Sequence, residues 1–570
     1  MMKNKLLNRL SIPPSNKTEI QAILFIIFCW LGMVLLVNPW GNFPLNDDWA
    51  YAKTVQSVLE KGDFELSGWT ATNLFSQVWW GALFCLPFGF SFTALRCSTL
   101  IIGLIGILAT YGLLREANTS RKLAFLGTLL IVVNPIYFAL SNTFMSDVPF
   151  FGFAASSLYL LIRGWRRDST FELVMGLLLA IVALLTRQVG LAIFLAFGLA
   201  YLSKNGINFQ NLLKAFSVIF LGLSTQIIYQ KWLELTFKTP KLYGNQINML
   251  LRGLQNDWGL ILGNFFEKTL YSLIYLGLFI FPFIIIYFLA EFSNFSPKNK
   301  KTILFIISGF CIYLMTSFLG KGVQMPLVTN ILDPFGIGPL TLRDTFLGFN
   351  QLPRPLSLKI FWLVLTAIGL VGAALLIYYF FLTLKKMLGH AHKFKFKENW
   401  LGVLIFSTII IYAPPILLLQ EGFFDRYLII LMPLFLMLVA NYQKHFRIPK
   451  LSSRTIAFFL TFLFISGGLT VASTHDYISW NRVRWQALDY LTQELKISPN
   501  NIDGGFEFNG WYLYNDEYIL TPSKSWWWVD KDNYIISFGL LTGYKEIKQY
   551  SLSKWLPIGP KNLLILQKVP

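Results

Sequence analysis

Two aspartates stand side by side at Asp47-Asp48, within Pro44-Leu45-Asn46-Asp47-Asp48-Trp49-Ala50-Tyr51-Ala52, in a loop between apolar runs. A third, Asp147, sits in the tight connector Ser146-Asp147-Val148-Pro149. A carboxylate at a helix centre in hydrocarbon costs about 2.5–3.5 kcal/mol, and less near the interface. Each such group therefore needs a partner, water or a task. A positioned carboxylate can take the proton of a hydroxyl. Two arginines accompany them, in Thr186-Arg187-Gln188 and in Asp425-Arg426-Tyr427 ahead of Pro433. The planar guanidinium fork matches phosphate oxygens, so these residues point to an anion site. Plain structural roles compete with each. Asn46 could cap a helix whose first turn carries the two aspartates. Asp147 could cap a helix with Pro149 just inside it. The arginines could form salt bridges or snorkel to the interface.

The elements that must position these residues are membrane helices. The chain has 570 residues, 55% hydrophobic, 17% aromatic and only 14% charged. Soluble proteins average about 25% charged residues. The net charge of +19 sits mainly in short connectors between apolar runs, a pattern that sets membrane orientation and speaks against nucleic acid. Cys29, Cys85, Cys97 and Cys311 form no CxxC pair and read as packing residues. His390, His392 and His445 fall in connectors of one set and His475 stands alone in the other, which disfavours zinc. A carboxylate-bound Mg²⁺ or Mn²⁺ stays open.

Thirteen apolar segments have the length or composition of spans: 20–38, 91–114, 122–140, 148–163, 171–186, 189–203, 212–230, 268–290, 302–320, 357–383, 401–419, 427–442 and 455–473. The first, after Lys3, Lys5, Arg9 and Lys17 and without an A-x-A site, reads as an uncleaved helix. The connectors alternate. One set is short and basic: Arg115/Arg121/Lys122, Arg163/Arg166/Arg167, Lys204/Lys214, Lys298/Lys300/Lys301, Lys385/Lys386/Lys393/Lys395/Lys397 and Lys444/Arg447/Lys450/Arg454. The positive-inside rule sends it to the cytoplasm with the N-terminus. The other set, 39–90, 141–147, 231–267, 321–356 and 420–426, is expected outside. In loop 39–90, Ala52, Val55 and Leu59 share a helical face, which predicts an interfacial helix with Trp49 and Tyr51 at headgroup level. Residues 1–473 thus form a membrane domain. The tail 474–570 predicts a small extracytoplasmic α/β domain, with an amphipathic helix near 482–495 followed by short strands, one over Tyr534 to Phe538.

Asp47-Asp48 with Tyr51-Ala52, Asp147, Thr186-Arg187-Gln188, and Arg426-Tyr427 with Pro433, in this order and on one side of the bundle, resemble the GT-C integral-membrane glycosyltransferases. The pattern is similar to that of the lipid A aminoarabinose transferases and the relatives of protein O-mannosyltransferases (glycosyltransferase family 39). That family usually shows Asp-Glu where this chain has Asp-Asp. The resemblance implies a membrane all-α fold and transfer of a sugar from a polyprenyl-phosphate donor to an acceptor hydroxyl on a lipid, protein or glycan at the outer face of the plasma (inner) membrane. It implies Asp47 as base, Asp48 and Asp147 as orienting groups or ligands of a divalent ion, and Arg187, Gln188, Arg426, Tyr51 and Tyr427 around the substrates. A transporter or flippase of lipid-linked sugar is the alternative; it would place polar groups at the midplane and in two related halves. A non-catalytic assembly or polymer-export subunit is a further one, in which the tail would be the working part; on deletion of 474–570 a scaffold would lose its partner, whereas an enzyme core is expected to keep some donor binding.

Overall fold

The computed structural model describes residues 17–346, 348, 352, 354–388, 399–419, 422–442, 452–519 and 527–569, without the side chains of Gln246, Ile247 and Asn256. Lys3, Lys5, Arg9, His390, His392, Lys393, Lys395, Lys397, His445, Lys444, Arg447, Lys450 and Trp526 lie outside the described residues.

Every apolar run meets a helix. Among the described residues eight helices are long and apolar enough to cross a membrane, or up to ten if each bent pair is one span. The bends alter two expected spans. Run 122–140 is two helices, Arg121–Val132 and Pro135–Ser141, at 62°. Pro135 lacks an N–H and Asn134 caps the new helix by accepting from the Tyr137 N–H at 2.9 Å, so the first helix cannot continue. Run 268–290 is Trp258–Phe279 and Phe281–Phe292, bent by 83° beside Pro282.

Close packing of backbones assembles the bundle. A Cβ placed on Gly277 would lie 2.4 Å from the Ala373 nitrogen. Helices Trp258–Phe279 and Leu356–Leu388 can touch there only because both carry glycine, the small-residue contact of lipid-embedded helices.

The two sets of connectors separate to opposite ends. At the basic end Arg115 and Arg121 each lie 3.1 Å from Glu19, Arg166 lies 3.1 Å from Glu116, and Lys204 sits over Trp165 and Trp400 at 4.7 and 5.2 Å. At the other end the Leu242 N–H donates to the Gly68 carbonyl at 3.3 Å, and Lys241 donates to the Asp516 carbonyl at 2.6 Å.

The tail differs from expectation. The last apolar run and the expected amphipathic helix are one continuous helix, Ser453–Asp489, closed by a π turn at Tyr490–Glu494. Beyond it a four-stranded sheet runs in the order Ile502–Asp503, Tyr534–Ser537, Asn562–Lys568, Tyr544–Ser551, with the first pair parallel and the others antiparallel. Helix Phe506–Leu513 packs on helix Asp48–Lys61 of the first loop.

The first loop is corrected too. Trp49 and Tyr51 do not face lipid, because both are buried in protein. Trp49 is fully buried, with Trp69, Phe506, Tyr514 and Trp528 rings centred 5.2–6.4 Å away. The buried stretch of the helix runs from Asp48 to Val55, and the helix packs against both helix Phe75–Cys85 and helix Phe506–Leu513 of the tail.

Candidate active site

Asp47 is the N-cap of helix Asp48–Lys61, at φ −75° and ψ 0°. The preceding Asn46 is left-handed at φ 58°, and its side-chain oxygen accepts from the Asp47 N–H at 2.9 Å. Asn46 therefore shapes the turn and does not cap the helix. Left-handed backbone suits asparagine among side-chain-bearing residues, because its short amide can bond locally.

Asp47 has two partners. Its Oδ2 lies 3.2 Å from Arg426 Nη2, and its Oδ1 accepts from the Trp69 indole N–H at 3.0 Å. Arg426 bridges onward, with Nε 3.8 Å from Asp147 Oδ2. Arg187 donates to the other Asp147 oxygen. Asp147 opens helix Asp147–Arg167. Arg187 sits where helix Thr170–Thr186 ends in extended backbone, φ −145° and ψ 134°, so its side chain leaves the helix direction. Its guanidinium lies over the Tyr427 ring at 5.0 Å. Asp47, Asp147, Arg187, Arg426 and Tyr427 thus converge although they come from four segments. Tyr51 is buried and feels the charges of Asp47, Arg426, Arg187 and Asp147; burial first, then Asp47, raises its phenol pKa.

Buried arginines need most of their donors satisfied. Arg426 Nε and Nη1 have no hydrogen-bond partner among the described residues. Donors withdrawn from solvent beside a carboxylate are suited to an arriving anion.

Two expected residues point elsewhere. Asp48 is fully buried, and its oxygens accept the Leu45 and Phe144 N–H groups at 2.6 and 3.2 Å. Burial pushes its carboxyl up to about 8, against the pull of Arg96 and those two N–H groups. It locks the loop to the 141–147 connector and, unlike Asp47, does not line the cleft. Gln188 donates to the Ala71 carbonyl at 3.1 Å, on the loop and away from the carboxylates. Asp425, next to Arg426, is likewise committed: it accepts from Ile331 and Leu332 at 3.2 and 2.7 Å.

Among the described residues no group of three His, Cys, Asp or Glu side chains could hold a metal ion. Asp48 faces away, and Asp47 and Asp147 already face guanidinium groups, so the donor set does not fit a divalent cation.

Residues outside the sequence reading hold the loop. Arg96 donates to the carbonyls of Pro39 and Gly41 at 3.0 and 2.8 Å and also to that of Phe43. Arg482 donates to those of Asn38 and Trp40 at 2.9 and 3.0 Å. Trp69 was also missed. In the sequence it is one of 18 tryptophans, with nothing in its neighbourhood to mark its indole as a partner of Asp47.

Two separate spaces each take one residue of the cluster into their walls. A cleft of about 1060 Å³ is lined by Asp47 and Trp69, with Phe424, Phe506, Trp527 and Asp333 among its other walls. An apolar groove of about 280 Å³, walled by residues such as Phe265, Leu276, Phe381 and Ile409, also takes Tyr427 into its wall.

Residues 76–229 match the family model of dolichyl-phosphate-mannose-protein mannosyltransferases. This bears out the resemblance to GT-C glycosyltransferases over a stretch that holds Asp147, Arg187 and Gln188, but not Asp47 or Arg426. No curated protein matches the sequence. Among solved structures, the Archaeoglobus fulgidus oligosaccharyltransferase in the apo form is similar at 16% identity and a TM-score of 0.41, over 89% of this chain. The chain spans 62% of that protein's length. ArnT from Cupriavidus metallidurans bound to undecaprenyl phosphate is similar at 13% identity and a TM-score of 0.41, over 97% of this chain and 98% of that one.

Proposed function

We propose that this chain is a membrane glycosyltransferase that moves a sugar from a polyprenyl-phosphate carrier to an acceptor hydroxyl, with Asp47 as base. The observation that carries the reading is Arg426 set between Asp147 and Asp47, with Asp47 in the wall of a cleft and the adjacent Tyr427 in the wall of an apolar groove. A lipid-linked sugar has the same two halves. Its chain suits the apolar groove that has Tyr427 in its wall, and its phosphate suits the open donors of Arg426 and the guanidinium of Arg187.

In the step proposed, the acceptor hydroxyl enters the cleft and gives its proton to Asp47. Its oxygen forms a bond to the anomeric carbon as the bond from that carbon to the phosphate oxygen breaks. The carrier phosphate leaves with the electron pair, and Arg187 and Arg426 stabilise that charge as it grows. Asp147 orients both arginines. A single displacement inverts the anomeric configuration, by analogy with one-step glycoside chemistry. The acceptor is a lipid, protein or glycan.

For orientation, the positive-inside rule assigns the end bearing Arg115, Arg121, Arg163, Arg166, Lys204 and Lys386 to the cytoplasm. The site and the tail then lie at the outer face of the plasma membrane, with the N-terminus inside.

Asp47→Asn tests the base. Purified variant is expected to bind a polyprenyl-phosphate sugar like the parent, while transfer falls by about a thousandfold or more, the scale of losing a general base with its orientation. Turnover near that of the parent removes the assignment.

A further inference from the structure

The turn that carries Asp47 is held from the far end of the chain. The Asn46 N–H donates to Glu507 Oε1 at 3.1 Å. Glu507 Oε2 accepts from Arg484 Nη1 and from the Thr341 hydroxyl, each at 2.7 Å. Arg484 Nη1 also lies 3.1 Å from the Thr341 oxygen, and the Phe506 N–H donates to the Thr341 carbonyl at 3.0 Å. Glu507 and Arg484 are both fully buried. Three distant segments, the long helix Ser453–Asp489, helix Phe506–Leu513 and the 321–355 connector, therefore meet on one backbone N–H beside the proposed base.

We infer that Glu507, fixed by Arg484, is a positioning residue for the transfer reaction: it holds the left-handed Asn46 turn and so aims the Asp47 carboxylate at the acceptor cleft. The inference rests on the reading of Asp47 as base. Its physical ground is the mismatch between what the pair costs and what it stabilises. A fully buried ion pair is a poor source of stability, and replacing both partners by apolar residues of similar size is often neutral or better. Arg484 also keeps Nε and Nη2 without hydrogen-bond partners among the described residues. A pair with so little to give the fold, and with its second carboxylate oxygen spent on Asn46, is better explained by the orientation it imposes. Asn46 tolerates φ 58° through its own amide oxygen on the Asp47 N–H, and the Glu507 contact on its N–H fixes where that turn sits.

The test is Arg484→Met combined with Glu507→Met in the full-length protein. It removes the grip on Asn46 and leaves no buried charge. The readout is turnover per donor-binding molecule, with a polyprenyl-phosphate sugar as probe, beside the melting temperature. Melting and donor KM are expected to stay with the parent, while kcat drops about tenfold or more, the signature of a contact needed only in the transition state. Glu507→Gln keeps an acceptor for the Asn46 N–H but strands the Arg484 charge, so it is expected to melt lower while kcat per donor-binding molecule stays within about threefold of the parent. Turnover of the double variant within about twofold of the parent overturns the inference. So does loss of donor binding together with turnover, which would make the pair a support of the whole fold. A fall in Glu507→Gln as deep as in the double variant does the same. Asp47→Asn run in parallel separates the two claims. If it still turns over, the base reading fails; if it is dead while the double methionine variant works, only the positioning role fails.

Discussion

At the residue scale the site is an alternation of charges, Asp47–Arg426–Asp147–Arg187, drawn from four segments. Such an arrangement is neutral as a whole, so it can sit at membrane depth without the cost of an isolated ion. It is also poised for an anion, because a phosphate can share the guanidinium donors that the aspartates leave open. The two arginines should differ in consequence. Arg426 touches both carboxylates, whereas Arg187 touches one. Arg187→Ala is expected to raise donor KM or slow phosphate departure by about tenfold to a hundredfold. Arg426→Ala is expected to do more, because it also frees Asp47 from its fixed orientation. Steady-state kinetics with a lipid-linked sugar would check both, with melting curves alongside. If melting alone changes, the arginines are structural salt bridges.

At the element scale the tail works as a wall. A charged knot ties it to the connector that holds Arg343: Arg343 donates to Asp532 at 2.8 Å, and Lys568 reaches the same carboxylate at 2.9 Å. Burial by itself would raise the Asp532 pKa. The hydrogen bonds from Arg343, Lys568 and Tyr544 outweigh it and hold the carboxyl below its ordinary range. A depressed carboxylate adds stability that is present above its unfolded pKa of about 3.9 and is lost as pH falls through the folded value. Asp532→Asn is therefore expected to melt a few degrees lower near neutral pH, and the difference should close as pH falls below about 4. A gap that stays constant across that range would contradict the assignment.

For the whole molecule, the first loop, the 321–355 connector and the tail form one hydrophobic core with the bundle. Trp49 loses three of its ring neighbours, Phe506, Tyr514 and Trp528, if the tail is removed. Cutting at 473 also severs the continuous helix Ser453–Asp489. We therefore propose that the tail is an integral wall of the site and not an appended domain. Deletion of 474–570 is expected to abolish cooperative melting, donor binding and transfer together. A truncated protein that melts normally and binds donor would restore the division into two independent units.

The sequence by itself determined the solvent, the apolar runs, the segregation of basic connectors to one end, and the residues Asp47, Asp147, Arg187, Arg426 and Tyr427. These follow from local composition and from the cost of placing charge near lipid, both of which are written in short stretches of chain. Tertiary structure alone decided which of two adjacent aspartates faces the cleft. Asp47 and Asp48 are one residue apart, and a helix turns about 100° per residue, so one can reach Arg426 while the other is consumed by Leu45 and Phe144. It also decided that Trp49 is walled by the tail, that Trp69 bonds Asp47, and that Glu507 grips Asn46 across 461 positions. Contacts over such separations leave no periodicity or spacing in the sequence, because they depend on where the ends of distant helices arrive once the bundle has packed.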